Sequence, residues 1–257
     1  MTIKIAPAGN VDSDGLVSLR KIKEFGLDGQ EIEFVRQVYM DNKTAKEVGQ
    51  LAEKLGLFLS IHASYFVNLC SEEKEKVDAS KRRILEACER AHYLNAENVV
   101  FHAGYYGKRS KQETYNLIKK EMVAMQEIIK ANSWNKVKLC PETTGKKSQF
   151  GDLYELLRLR EEIKCNICVD FAHLLARNGR INYGETISQL PQKFHAHFSG
   201  IEYSDKGERK HIPIDEKEFE KLAKELLRQK KDITIVCEAP DPFGDALRMK
   251  NIIDSIK

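Results

Sequence analysis

The densest chemistry in the sequence lies in Phe194-His195-Ala196-His197-Phe198-Ser199-Gly200, with Lys210-His211 a short loop downstream. Three of the seven histidines fall within the seventeen positions from His195 to His211. An imidazole can ligate a metal, move a proton or carry charge near neutral pH, and two residues spaced i, i+2 on a strand share one face. His195 and His197 stand where an alternating apolar run gives way to Ser and Gly. Strand ends of this kind hold the chemistry of parallel α/β folds. His197, the outer of the two, reads as a ligand, and His195, one layer deeper, as a group that supports it.

Other imidazoles and carboxylates occupy equivalent places. His62 ends the apolar run from Leu57, His102 ends Asn98-Val99-Val100-Phe101, and Glu142 follows Lys138-Leu139-Cys140-Pro141. Asp170 follows Ile167-Cys168-Val169, with His173 three residues on, and Glu238 follows Ile235-Val236-Cys237. A carboxylate at the end of an apolar run is costly to bury unless it is paired or metal-bound. A structural ion pair would explain any one of them; six consecutive strand ends carrying such groups point to a metal centre. Mixed His and carboxylate ligands suit Zn, Mn or Fe better than Mg or Ca. The set exceeds one ion's needs, so two or three ions are expected, with a carboxylate such as Glu142 bridging. Closely spaced divalent ions suit hydrolysis of a phosphodiester. The alternative chemistry is that of a sugar isomerase or epimerase, in which a metal polarises a carbonyl while a carboxylate moves a proton. Glu33, at another strand end, is expected to line the same mouth.

These side chains converge only if the elements beneath them do. Apolar periodicity predicts strands at Ile3 to Ala6, Gln30 to Val35, Leu57 to His62, Asn98 to His102, Lys136 to Glu142, Asn166 to Asp170, Phe194 to Ile201 and Thr234 to Glu238. It predicts helices at Gly15 to Phe25, Lys43 to Leu55, Glu72 to Leu94, Gln112 to Ala131, Asp152 to Glu162, Gly184 to Leu190, Glu216 to Arg228 and Asp245 to Ile256. Eight strands each followed by a helix favour an α/β closed (β/α)8 TIM barrel, a single domain over residues 1–257, above an open doubly wound sheet. In a barrel the C-terminal strand ends form one ring, which brings the separated ligands together.

Composition narrows the partners. With 42% hydrophobic and 32% charged residues and a net charge of +3, the chain reads as soluble, with no strong global preference for nucleic acid. No apolar run approaches the roughly 18 residues of a membrane helix, and Met1-Thr2-Ile3-Lys4-Ile5 enters a strand with no signal block. Six cysteines at scattered, mostly apolar positions read as reduced core thiols, so a cytoplasmic monomer is expected. Cys165 and Cys168 form a CxxC, but on a strand they face opposite ways, which argues against a redox or metal pair.

His62-Ala63-Ser64-Tyr65-Phe66-Val67-Asn68-Leu69, Val99-Val100-Phe101-His102-Ala103-Gly104 and Glu142-Thr143-Thr144-Gly145 resemble the endonuclease IV family of xylose isomerase-like barrels. Val169-Asp170-Phe171-Ala172-His173, His197-Phe198-Ser199-Gly200 and Cys237-Glu238-Ala239-Pro240 continue the likeness in the same order. The resemblance implies a zinc enzyme that cleaves DNA 5′ to an abasic site in base excision repair, using a metal-bridging hydroxide kept aligned by Glu142 or Glu238. It implies a first metal on His62, His102 and Glu142, a second on Glu142, Asp170, His197 and Glu238, and a third involving His173 and His211. Tyr65 and Phe66 fall where the family inserts side chains into DNA. Asn68 lies in the same segment, and Lys108 and Arg109 in a basic aromatic loop suited to phosphates. Arg209 stands where the family has an Asp, so the third site lacks its carboxylate. Either Asp205 or Glu208 reaches in, or the site is weak and Arg209 or Lys210 supplies positive charge at the leaving oxygen.

Overall fold

The computed structural model describes residues 1–256; Lys257 lies outside the described residues. Eight parallel strands form two arcs of four. One arc orders β2 (Gly29–Glu33), β3 (Phe58–His62), β4 (Asn98–Phe101) and β5 (Lys138–Pro141). The other orders β1 (Ile3–Pro7), β10 (Asp232–Cys237), β7 (Lys193–Phe198) and β6 (Cys168–Asp170). Isolated parallel bridges join the arcs at both seams, Ala8 with Glu31 and Glu142 with Cys168. The (β/α)8 expectation is therefore met, with thin seams on opposite sides of the ring.

Strand alternation divides each β-segment between barrel lumen and helix layer. Ile3 and Ile5 of β1 face outward into the main apolar core with Leu19 and Ile22 of α1 (Gly15–Glu24). Most of the helices begin where short polar side chains satisfy their free N–H groups. Asp41 caps α2 (Asn42–Leu55), and capping boxes at Ser110/Glu113 and Asp152/Glu155 start α4 (Lys111–Ala131) and α5 (Leu153–Ile163). The long α3 (Lys74–Leu94) ends on Asn95 in the left-handed conformation.

Two expectations need correction. The seventh strand stops at Phe198 and does not run to Ile201, because an antiparallel ribbon, β8 (Gly200–Ser204) and β9 (Gly207–Ile212), begins there. The predicted loop before His211 is thus a strand, its short polar residues too weakly patterned to show it. The connection after the sixth strand also holds two helices, α6 (Phe171–Asn178) and α7 (Tyr183–Gln189), where periodicity suggested one. The remaining helices are α8 (Glu216–Arg228) and α9 (Pro242–Ile256).

Candidate metal centre

The strand register sets the ring of donors. Glu33 pairs with His62 across β2 and β3, while Asp170 and Val236 flank His197 across β6, β7 and β10. His102 and Glu142 follow immediately on β4 and β5, and Glu238 on β10. Helix α6 starts directly on β6 with Asp170 as its N-cap. Asp170 Oδ1 accepts from the His173 amide at 2.6 Å, which fixes the carboxylate and places His173 in the first helical turn. That local geometry leaves Asp170 Oδ2 pointing into the lumen with no hydrogen-bond partner.

Glu142 is the hub, 1% exposed. Its Oε2 lies 3.2 Å from His62 Nε2 and 2.8 Å from His102 Nε2. Its Oε1 lies 3.1 Å from His173 Nδ1 and 3.3 Å from His197 Nδ1. His197 Nδ1 is also 3.1 Å from Glu238 Oε1. His173 Nε2 and His211 Nε2 face one another at 3.2 Å. Three candidate ligand groups lie together: His62, His102 and Glu142; Glu142, Asp170, Glu238 and His197; and His173 and His211, the pair expected for a third site, which Asp170 joins. In each, the donor atoms lie within 4.8 Å of one another.

Tautomers and orphaned atoms show that these groups fit metal ions. His62 Nδ1 donates to the Ala63 carbonyl at 2.8 Å, and His173 Nδ1 to the Thr143 carbonyl at 2.9 Å. In the neutral rings the Nε2 atoms then carry lone pairs, one facing the Glu142 carboxylate and the other the His211 ring. Two electron-rich atoms at such a distance need a cation between them, a proton or a metal. Glu142 Oε1, Asp170 Oδ2 and His197 Nδ1 are buried without a hydrogen-bond partner, and such orphaned buried donors fit a cation.

The electrostatics agree. Burial works against a charged His62, but the Glu142 and Glu33 carboxylates outweigh it and push its pKa up to about 10. Burial likewise opposes ionisation of Glu142, yet His102 and His197 hold it well below the usual carboxylate range. Glu238 is brought down to about 2, the nearby His197 overcoming its burial. Burial pushes Asp170 up and drives Glu33 to about 8. The surrounding carboxylates likewise outweigh burial at His173 and His197 and push both rings toward the protonated form.

A further carboxylate, Glu208, approaches the third group through a β-bulge. Glu202 pairs with Lys210, but the next residue, Tyr203, pairs with Glu208, so Arg209 is the extra residue in the ribbon. The bulge shifts the alternation and puts Glu208 on the same face as His211. Glu208 Oε2 stands 3.5 Å from His173 Nε2. Two glycines allow the ribbon to dock on the loop after β5: a Cβ on Gly145 would lie 2.5 Å from Glu208 Cβ, and one on Gly207 would lie 2.2 Å from the Gly145 carbonyl. Ser199 Oγ and His211 Nδ1 are hydrogen-bonded at 2.9 Å, orienting that ring.

The other site expectations divide. Arg209 and Lys210, expected to supply positive charge at a leaving oxygen if the third site were weak, are both exposed and pair with Glu202 at 3.3 and 3.1 Å. Asp205 lies in the hairpin turn, outside the donor groups. Tyr65 and Phe66 project from the lip after β3, 58% and 59% exposed, and the Tyr65 ring centroid is 5.9 Å from that of His62. Asn68 sits inside that lip, its Oδ1 accepting from the Cys70 amide at 3.3 Å. Lys108 is exposed, while Arg109 is tied to the Cys70 carbonyl, bracing one loop against the other.

Glu31 was absent from the sequence-derived set. It is fully buried on β2, with Oε2 3.0 Å from His195 Nε2 and Oε1 2.9 Å from His197 Nε2. Ser60 Oγ donates to Oε2 at 2.6 Å, and His195 Nδ1 is bonded to Thr234 Oγ1 at 2.7 Å. His195 is thus the deeper supporting group that its spacing from His197 implies. The signal for Glu31 was its position two residues before Glu33, on the same strand face. Cys165 and Cys168 remain free thiols, with Cys168 facing the lumen beside His197. Burial holds the Cys168 thiol well above its ordinary pKa, so it stays protonated and a poor ligand.

Similarity to other proteins falls on this same scaffold. The chain is 39% identical over 245 residues to uncharacterized protein MJ0133 of Methanocaldococcus jannaschii, covering 88% of this chain and 87% of that one. It is 28% identical over 140 residues to a probable endonuclease 4 of a Sulfurihydrogenibium strain, which spans 52% of this chain and 49% of that relative. Among solved structures, endonuclease IV from Thermus thermophilus superposes with TM-score 0.74 at 19% identity, covering 100% and 99% of the two chains. The 3-keto-D-glucoside 4-epimerase YcjR from E. coli gives 0.72 at 16% identity, covering 99% and 100%. The xylose isomerase-like TIM barrel family matches residues 19–256, and the chain belongs to that family.

Proposed function

We propose that the protein is a metal-dependent DNA-repair endonuclease that hydrolyses the phosphodiester 5′ to an abasic site. The observation that carries this reading is the pair of exposed rings, Tyr65 and Phe66, standing on the lip beside His62 and the Glu142 hub. A flipped-out sugar leaves a gap in the base stack that side chains of this kind can fill, and exposure leaves both rings free to enter it.

Zinc is the proposed cofactor, with manganese or iron compatible with the same donors. His62, His102 and Glu142 would hold one ion, and Glu142, Asp170, His197 and Glu238 a second. His173, His211 and Glu208 would hold a third. When bound, the ions supply Lewis acidity and neutralise charge developing on phosphate oxygens. Glu142, anchored through both oxygens, fixes the spacing of the groups around it. Glu238 contributes a second carboxylate at the mouth, 16% exposed, where it can orient a water or accept its proton. Lys108 is free to meet a backbone phosphate; Arg109 acts by holding the loop that carries it. The relative described as a probable endonuclease 4 supports this reading.

One observation favours a second reading, a sugar isomerase or epimerase. Glu31, Glu33 and Glu238 offer oxygens within 4.8 Å of one another, and burial holds the Glu33 carboxyl protonated to about pH 8, a combination suited to proton transfer beside a carbonyl. A duplex oligonucleotide carrying one tetrahydrofuran abasic analogue separates the two. The expected result is zinc-dependent nicking on the 5′ side that is lost in Glu142→Gln. Absence of nicking, together with metal-dependent exchange of a ketose C–H in deuterated water, would replace the first reading with the second.

A further inference from the structure

The lower end of the barrel contains a cavity of about 620 Å³, at the N-terminal ends of the strands and so opposite the metal centre. Barrels of this fold usually fill their lumen with layers of bulky aliphatic side chains. Here the lower layer is polar: Lys4 of β1, Ser60 of β3, Asn98 of β4, His195 of β7 and Thr234 of β10 all line the space. The volume falls within the range of metabolite pockets. A polar void of this size is occupied by water or by a ligand.

The hydrogen bonds and ion pairs around the cavity indicate which ligand. Lys193 is paired with Glu97 at 3.2 Å, and Asp232 takes the Thr2 amide at 2.6 Å and the N-terminal ammonium at 3.4 Å. Lys136 is held by Asn95. Lys4 and Arg160 have no carboxylate partner among the described residues; Lys4 Nζ lies 5.8 Å from the Phe58 ring centroid. The Asn166 side chain donates to Asn98 Oδ1 at 2.7 Å, which leaves the Asn98 NH2 without a protein acceptor among the described residues. One lining carboxylate, the exposed Glu53, is also without an ion-pair partner among the described residues, but against Lys4, Lys136 and Arg160 the balance of unpaired charge is cationic, and it is joined by an amide donor. Phe58, Leu94, Ile167 and Ile233 supply apolar walls nearby. We infer that this cavity is a binding site for a small organic anion, its carboxylate or phosphate at Lys4 and Asn98 and its apolar body against Phe58.

His195 and Ser60 are shared with the hydrogen bonds beneath the metal centre, whereas Lys4 and Asn98 are not, so a test through these two residues does not need the activity. Benzoate and inorganic phosphate are the probes, with neutral benzamide as control, read through the side-chain amide resonances of Asn98 and Asn166 in the zinc-loaded protein. The expected result is a saturable shift with benzoate or phosphate that is at least tenfold weaker with benzamide. Lys4→Met should weaken it at least tenfold while the thermal midpoint and metal content stay at wild-type values. Saturation by benzoate alone would assign a carboxylate ligand, and saturation by phosphate alone a phosphate ligand. No saturable shift with either anion, or equal shifts in wild type and Lys4→Met, would overturn the inference. Should Lys4→Met fold poorly, Asn98→Ala provides the second variant, with the same loss expected.

Discussion

Glu208 reaches His173, with Oε2 3.5 Å from Nε2, because Arg209 bulges out of the ribbon. The same bulge turns the Arg209 guanidinium to Glu202, 3.3 Å away on the exposed face. A carboxylate thus enters from one residue earlier than the resemblance expects, and the cation at that position leaves the site.

Glu208→Gln is therefore expected to remove one bound ion per chain, from three to two, while the Glu142-centred pair remains. Arg209→Ala should leave the count unchanged. Elemental analysis after dialysis against a weak chelator measures both; loss of metal in Arg209→Ala alone would reverse the assignment.

Removing the exposed rings should separate binding from metal loading. Tyr65→Ala and Phe66→Ala are each expected to lower abasic-site cleavage by about tenfold to a hundredfold, in line with ~1–3 kcal/mol for an aromatic that stacks on a nucleic-acid base. The loss should lie mainly in KM, with zinc content unchanged. Steady-state kinetics on the abasic duplex provide the check.

The metal-free protein should lose stability as pH rises. His62 is pushed up to about 10 and Glu33 to about 8 in the fold, from ordinary values of 6.5 and 4.5. Between those limits the folded state binds more protons than the unfolded state, so rising pH favours unfolding. The His62 contribution is fully present below 6.5 and is lost as pH passes through about 10. With zinc in place of the protons this dependence should flatten. Thermal midpoints of chelator-treated and zinc-loaded protein over pH ~6 to ~10 test it, and parallel curves would contradict it.

Glu31 should matter for stability as well as for ligand orientation. Glu31→Ala leaves His195 and His197 without the carboxylate between them, and breaking a buried pair of this type costs about 3–5 kcal/mol. Glu31→Gln keeps the shape and should lower metal affinity by roughly tenfold to a hundredfold, as loss of a supporting hydrogen bond to a ligand does. Urea unfolding and competitive zinc titration distinguish the two effects.

Much of this was legible in the chain. Apolar runs ending in His62, Glu142, Asp170 and Glu238 marked both the strands and the candidate donors, because burying such groups requires a partner. The i, i+2 relation of His195 to His197 was equally readable, since strand parity fixes it. Glu31 escaped notice because it lies inside a strand, where its partner comes from the opposite arc rather than from a neighbour in sequence. The bulge at Arg209 was invisible for a related reason: parity changes only when two strands are paired, and Gly207-Glu208-Arg209-Lys210 has no apolar alternation to reveal the pairing. Helix α6 was hidden by its shortness and by its start on the last residue of β6.

The two arcs of the barrel meet along seams bridged by little backbone bonding. His62, His102 and Glu142 belong to one arc and Asp170, His197 and Glu238 to the other. Ions held between them would act as rivets across a split ring. Losing them should loosen the wall first at Glu142 and Cys168, and amide exchange of Thr143, whose N–H donates to the Cys168 carbonyl at 3.0 Å, should quicken before the rest of the sheet opens.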